Sequence, residues 1–287
     1  MSNSEKINNS EILFLYDAKR CNPNGDMDNE NKPRMDWDTG TNLVSDVRLK
    51  RYIRDYLEIV KNEKLFVTNK AKNAEERVEQ LKEEDEDVLD LLGVRLFGAV
   101  QATEEADHLT GPVQFNWGYS LNKVELQETK TITSSFSSGE GVGKDYRVKY
   151  SFIAFNGGIN GLTAQDTNLT EKDVKLLDEA IIKSIPLNRT RSKIGQTPRL
   201  YLRVELKDNK SFLNDLREYI DLEYEKKAEN VREISDCELS IKELNNYLAD
   251  NETKIEKVYY WKDSKLKFKN NEWDRLVDIV EFEELNY

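Results

Sequence analysis

Residues 11–19 read EILFLYDAK, and residues 22–26, just behind them, read NPNGD. A compact apolar run closed by Asn, Pro and Gly is a strand that ends in a sharp turn. Working outward, Ser45 or Asp46 caps a helix that runs to about residue 62. Strands are expected at 112–124 (PVQFNWGYSLNKV), 146–155 (YRVKYSFIAF) and 199–206 (RLYLRVEL). Between the last two lies a helix at 170–185. Thr170 caps it, Asp173 follows three residues on, and Val174, Leu177, Ile181 and Ile185 form its apolar stripe. The order β-α-β-β-α-β is the split βαβ arrangement of ferredoxin-like and RRM folds, an α+β class. Two additions interrupt it. Residues 64–110 are expected to hold a short strand at 64–69, a charged helix at 71–86 and a second helix at 88–97. Residues 207–287 read as mostly helical, with a small hairpin at 258–268.

The chain has 287 residues, with 43 Lys+Arg against 55 Asp+Glu and a formal net charge of −12. That length suits one large domain with an appendage, at roughly 100–200 residues per domain. No apolar run reaches the roughly 18 residues of a membrane span, and the N-terminal residues lack the apolar core of a secretory signal. Two cysteines, Cys21 and Cys237, point to a reducing cytoplasm; they and the lone His108 make no metal set. The charge is segregated. Residues 72–90 hold nine acidic and three basic residues, and residues 207–287 hold 21 acidic and 14 basic. By contrast, residues 184–203 contain five cations and no acid.

Three features suit a polyanion. On the helix after residue 45, Arg48, Lys50, Arg51 and Arg54 cover the side opposite Leu49, Tyr52, Ile53, Tyr56, Leu57 and Val60, a basic face for a phosphate backbone. The loop at 185–198 carries Arg189, Arg191 and Lys193 with Gln196 close behind, and guanidinium forks match phosphate oxygens. Residues 128–147 are half Ser, Thr and Gly, too long for an ordinary hairpin turn. They read as an arm with Phe136, Lys144 and Arg147 as contacts.

Other motifs fail on inspection. Gly139, Gly141 and Gly143 before Lys144 do not make a phosphate loop, because Asp145 stands where Ser or Thr is required. A calcium loop started at Asp26 has Asn31 at the glycine position and Trp37 at the terminal glutamate position. In the RRM aromatic signature, the glycines expected before Phe152-Ile153-Ala154-Phe155 are Lys149 and Ser151. His108 reads as a surface residue.

Taken together, Tyr16-Asp17-Ala18-Lys19, Asn22-Pro23-Asn24-Gly25-Asp26 and residues 42–51 (NLVSDVRLKR) resemble the CRISPR-associated Cascade backbone subunit, the Cas-seven family in its type I-B (Csh-two) branch. Residues 96–99 (LFGA), 110–115 (TGPVQF) and 155–158 (FNGG) fit the same pattern, which covers about residues 11–206. The resemblance implies a modified RRM/ferredoxin-like palm over residues 1–206, helical fingers at about 64–110 and a β-hairpin thumb at about 128–147. Residues 207–287 would complete or pack on the palm. It implies a non-catalytic subunit without cofactor or metal, copies of which stack along CRISPR RNA beside other Cascade subunits and present it to a target DNA strand. Guide contacts would come from Asn24, Arg34, Arg48, Lys50, Arg51, Arg54, Phe136, Lys144, Arg147, Arg189, Arg191, Lys193 and Gln196. The alternatives are a metal-dependent ribonuclease of the same RAMP superfamily that uses Asp26, and an acidic protein–protein adaptor.

Overall fold

The computed structural model describes residues 6–68, 71–100, 108–133 and 142–287. The run at 11–19 becomes β1 (Ser10–Cys21), one residue longer at its start and two at its end. Further strands in chain order are β2 (Met35–Asp36), β3 (Thr41–Val44), β4 (Val113–Phe115), β5 (Gly118–Ser120) and β6 (Leu126–Thr133). Then come β7 (Val142–Ile159), β8 (Gln196–Leu206), β9 (Ile255–Lys262) and β10 (Phe282–Glu284). All ten join one sheet in the order β10-β9-β8-β1-β7-β5-β3-β2, with β4 and β6 also pairing with β7. Every pairing is antiparallel except β9 with β10. Helices are α1 (Asp46–Ile59), α2 (Ala74–Glu83), α3 (Leu92–Phe97), α4 (Glu171–Leu187), α5 (Lys242–Asp250) and α6 (Glu272–Leu276).

β1 sits mid-sheet and is buried on both faces. Alternate side chains point to opposite sides of a strand. Ile12, Phe14, Tyr16 and Ala18 therefore enter one core with Tyr52, Ile53 and Leu57 of α1 and Leu177 and Ile181 of α4. Leu13 and Leu15 enter a second core with Phe152, Leu200 and Leu202, covered by Leu216, Leu239, Leu244 and Trp273 from the C-terminal residues. Burying each such aliphatic or aromatic side chain stabilises the fold by about 1.5–3 kcal/mol.

Several sequence expectations shift for physical reasons. The apolar stretch at 112–124 splits into β4 and β5 around Asn116 and Trp117, where the chain steps along the edge of β7. Residues 64–68 form no strand; Leu65 and Phe66 are simply buried. The helix expected at 88–97 is a 3-10 turn at Val88–Asp90 followed by α3. Beyond residue 206 the reading of mostly helix does not hold. Buried Val258 and Ile255 pair with Val204 and Leu206 of β8 across a register shift at Glu205/Leu206, and the other neighbour of β9 is β10 instead of a hairpin partner near residue 268. Trp273 and Leu276 on short α6, and Leu244 and Leu248 on α5, then roof the second sheet face. Nor do the aromatics of β7 form an RRM-like open platform. Phe152 and Phe155 are fully buried, and the sheet face that an RRM leaves open is covered.

The capping box expected at Thr170 forms: its hydroxyl accepts from the Asp173 N–H at 3.2 Å and the Asp173 carboxylate accepts from the Thr170 N–H at 3.0 Å. Arg95 of α3 grips that same carboxylate at 2.8 Å and 2.9 Å, which ties the 64–110 insertion to α4. Deeper, Arg203 of β8 meets Asp178 of α4 at 2.9 Å, both side chains at or below 4% exposure, and Tyr201 donates to Asp178 at 2.6 Å. Removing one partner of such a pair strands a buried charge, at about 3–5 kcal/mol. Asp178→Ala should lose stability in that range by urea denaturation, whereas Lys257→Ala, whose ammonium pairs with the exposed Glu281 and Glu283, should cost under about 1 kcal/mol.

Candidate nucleic-acid interface

Three segments meet where β1 ends. The Asn22 N–H donates to Ser192 O at 2.8 Å, and the Lys19 N–H donates to Gly195 O at 2.8 Å, so the loop at 188–195 lies along the turn at 22–26. Asn24 Oδ1 accepts from the N–H of Ser45 at 2.8 Å and from its hydroxyl at 2.9 Å. Ser45 is the N-cap of α1 but makes no side-chain bond to its own helix, so Asn24 anchors the helix start from outside. Tyr52 of α1 and Gln196 of β8 share a hydrogen bond, the Gln196 Nε2 lying 3.1 Å from the hydroxyl. The turn, the loop and the helix start thus make one surface.

The basic face of α1 is not the open rail that its helical spacing suggests. Lys50 is buried, with its ammonium 3.0 Å from Gln114 Oε1 and 3.3 Å from Asp46. Arg51 pairs with Asp55 at 2.7 Å, and Arg54 lies over the Phe97 ring, 5.0 Å from its centroid. The inserted segment at 92–115 packs on this side of α1, which a helical wheel cannot show. Arg48 points the other way. Its guanidinium stacks 4.3 Å from the centroid of Tyr52, and its Nε has no hydrogen-bond partner among the described residues. The solvent-facing positions of α1 include Val47, 64% exposed.

In the facing loop, Arg189 and Arg191 are exposed; Arg189 Nε donates to Pro186 O at 3.3 Å and Arg191 lies 3.8 Å from Asp145. Lys193 is half-buried, with its ammonium 2.6 Å from Asn22 O and 3.2 Å from Pro23 O. Burial, and then the nearby Arg48 cation, pull its pKa down to about 7. Gln196 is buried and also donates to Lys193 O at 3.0 Å.

At the base of the β6–β7 arm, Arg147 clasps Asp145 at 2.6 Å and donates to Arg20 O at 3.1 Å. Lys144 is exposed and 3.3 Å from Glu30, whose carboxylate is held below its ordinary range by the Tyr146 hydroxyl and by Lys144. Arg34 pairs with Asp26 at 3.2 Å and lies 5.9 Å from the Trp117 ring centroid. Phe136 falls outside the described residues. Asp145 is the hub that brings Arg147 and Arg191 together, and Arg48 lies beside Lys193 of the same loop as Arg191.

The family model for CRISPR-associated protein Cas7 matches residues 8–242. The chain belongs to the Cas7 family. A curated relative, CRISPR-associated protein Cas7 of Haloferax volcanii, is 33% identical over 303 residues, covering 91% of this chain and 88% of the relative. Two solved chains share the fold at lower identity. One, from a CRISPR RNA-guided surveillance complex, gives a TM-score of 0.58 at 16% identity, covering 97% of this chain and 95% of that one. The other, from such a complex in a pre-nicking state, gives 0.55 at 14%, covering 97% and 96%.

In this Cas7-family chain the structure adds Arg20 to the basic surface. It is exposed, holds a left-handed φ of 53°, and offers its carbonyl to Arg147. The basic pair Lys19-Arg20 ahead of the turn was the only sequence signal for it. Gly195 permits the close approach of loop and strand: its φ is +111°, and a Cβ there would stand 2.4 Å from Lys19 O. Gly195→Ala should therefore push the 188–195 loop off β1 and cost about 1–3 kcal/mol of stability, read by chemical denaturation.

Proposed function

We propose that this Cas7-family protein is a non-catalytic RNA-binding backbone subunit of a type I-B CRISPR surveillance complex. Copies line up along the CRISPR RNA, next to other Cascade subunits, and present the guide for pairing with a target DNA strand. The family membership supports this reading, and one observation carries it. Arg48, Arg147, Arg20 and the loop pair Arg189 and Arg191 come from four separate elements of a chain of net charge −12, yet gather at one end of the sheet. Acid elsewhere discourages indiscriminate polyanion binding, while this end attracts phosphate.

The strand order β8-β1-β7-β5, with α1 and α4 on one face, supports an RRM-like palm. Residues 64–110 serve as fingers, and β6 with β7 forms the base of a thumb around 128–147. Because the second face is covered by residues 213–280, the guide is gripped at the sheet end and not across the aromatic face. Arg189 and Arg191 meet phosphates directly, and Arg48 and Arg147 flank them. Asn24 and Arg34 shape the turn. Lys50, Arg51 and Arg54 contribute field from the side of α1 that faces the fingers.

The experiment is salt-dependent binding of single-stranded RNA. For a single strand, each phosphate that the protein no longer neutralises flattens the slope of log K against log salt by about 0.7. Arg189→Ala with Arg191→Ala should flatten it by about 1.4 and weaken binding several-fold. An unchanged slope would overturn the interface. Incubating the protein with RNA and magnesium tests the non-catalytic part, since cleavage that disappears in Asp26→Ala would favour a ribonuclease. In the structure, the Asp26 carboxylate is engaged by Arg34.

A further inference from the structure

Lys193 sits among the cations of the proposed interface but uses its charge differently. An ammonium has three N–H donors. Two are directed at backbone carbonyls inside the protein, Asn22 O at 2.6 Å and Pro23 O at 3.2 Å. No ion pair of the described residues includes Lys193; its charged and titratable neighbours are Arg48 on α1 and the buried Cys21 thiol at the end of β1. The Tyr52 hydroxyl approaches the same Pro23 carbonyl at 3.5 Å and reaches the Lys193 backbone through Gln196.

The contacts continue in one direction. Lys193 holds Asn22 and Pro23, the next residue Asn24 holds Ser45, and Ser45 is the N-cap of α1, whose first turn carries Arg48. Pro23 has no N–H to donate, so its own backbone can be tied down only through its carbonyl. We propose that Lys193 is a positioning residue: its Nζ pins the turn at residues 22–23 to the 188–195 loop, and so sets where Arg48, Arg189 and Arg191 present themselves to phosphate. This rests on the RNA-binding reading above.

Such a clamp depends on pH, and geometry fixes the sign. Burial costs the ammonium more than its two carbonyl bonds return, so the clamped position favours the neutral amine. With its pKa at about 7, the folded protein loses this charge as pH rises through neutrality, whereas an unfolded chain keeps it up to about 10.4. Charging Lys193 therefore subtracts from global stability below about 7, a deficit that fades as pH climbs toward the unfolded value. Opening the clamp also returns the ammonium to water, so by the same linkage charging Lys193 loosens its hold on the turn, and RNA affinity should rise as pH climbs through about 7.

The test uses the full chain, with RNA binding and amide hydrogen exchange measured on each variant. Lys193→Met should weaken RNA several-fold and leave the salt slope unchanged. At fixed pH, the Lys19 and Asn22 amides should exchange about tenfold faster. Lys193→Arg, whose charge does not titrate, should hold the affinity at its low-pH value and abolish its pH dependence, while His108→Asn should leave that dependence intact. A slope flattened by about 0.7 in Lys193→Met, with unaltered exchange, would make Lys193 a phosphate contact and overturn the proposal. If even the unaltered protein bound no RNA, the RNA-binding reading would fall. The exchange rates at Lys19 and Asn22 would still decide whether Lys193 pins the turn.

Discussion

Everything else in this molecule is arranged around β1, a strand hydrogen-bonded on both edges and buried on both faces. Its neighbours β7 and β8 complete its ladder, with Phe14 facing Phe155 on one side and Tyr201 on the other. A strand in that position has nowhere to shift, because a slip of one residue would exchange its two faces. The ladder therefore delivers residues 19–26 to a fixed place at the sheet end. A turn held so rigidly can serve as the floor of a binding surface. The bonds from Lys19 and Asn22 to the 188–195 loop are short because β1 cannot drift away from β8.

The double burial also explains the C-terminal residues. An open sheet would expose Leu13, Leu15, Phe152, Leu200 and Leu202 to water. Residues 213–280 cover them with a mixture of short helices, turns and β9, and carry their acid on the outside. The net charge of −12 thus describes the roof and the 72–90 insertion more than the sheet end where Arg20, Arg147 and Arg191 gather. Cations at that end are held in place by few acids. Asp145 serves Arg147 and Arg191, Glu30 serves Lys144 and Lys32, and Asp26 serves Arg34. Those partners orient the side chains and partly neutralise them, so the surface depends on shape as well as on charge.

α1 shows how one element can be read correctly and still mislead. Its start and most of its apolar stripe follow from local spacing: Leu49, Tyr52, Ile53, Tyr56 and Leu57 are buried, whereas the helix stops at Ile59, short of residue 62, and Val60 beyond it is exposed. The opposite face reads as open because nothing local says what packs there. In fact Phe97 of α3, from the insertion, and Gln114 of β4 take Lys50 and Arg54 out of the front line. Lys193 is similar: spacing places it beside Arg189 and Arg191, but the carbonyls that claim it belong to a turn 170 residues earlier.

The sequence by itself determined β1 and its turn, the capped helices α1 and α4, the strand at β8, the segregation of charge and the family to which the chain belongs. These depend on periodicity, capping and motif identity, which act over a few residues or are written in particular side chains. Tertiary structure alone decided the split of residues 112–124 into two short strands, the sheet-building role of the C-terminal residues, and which cations face solvent. Each of those depends on what a residue meets from a distant part of the chain. Burial and hydrogen-bond partners of that kind are set by packing, which no local pattern encodes.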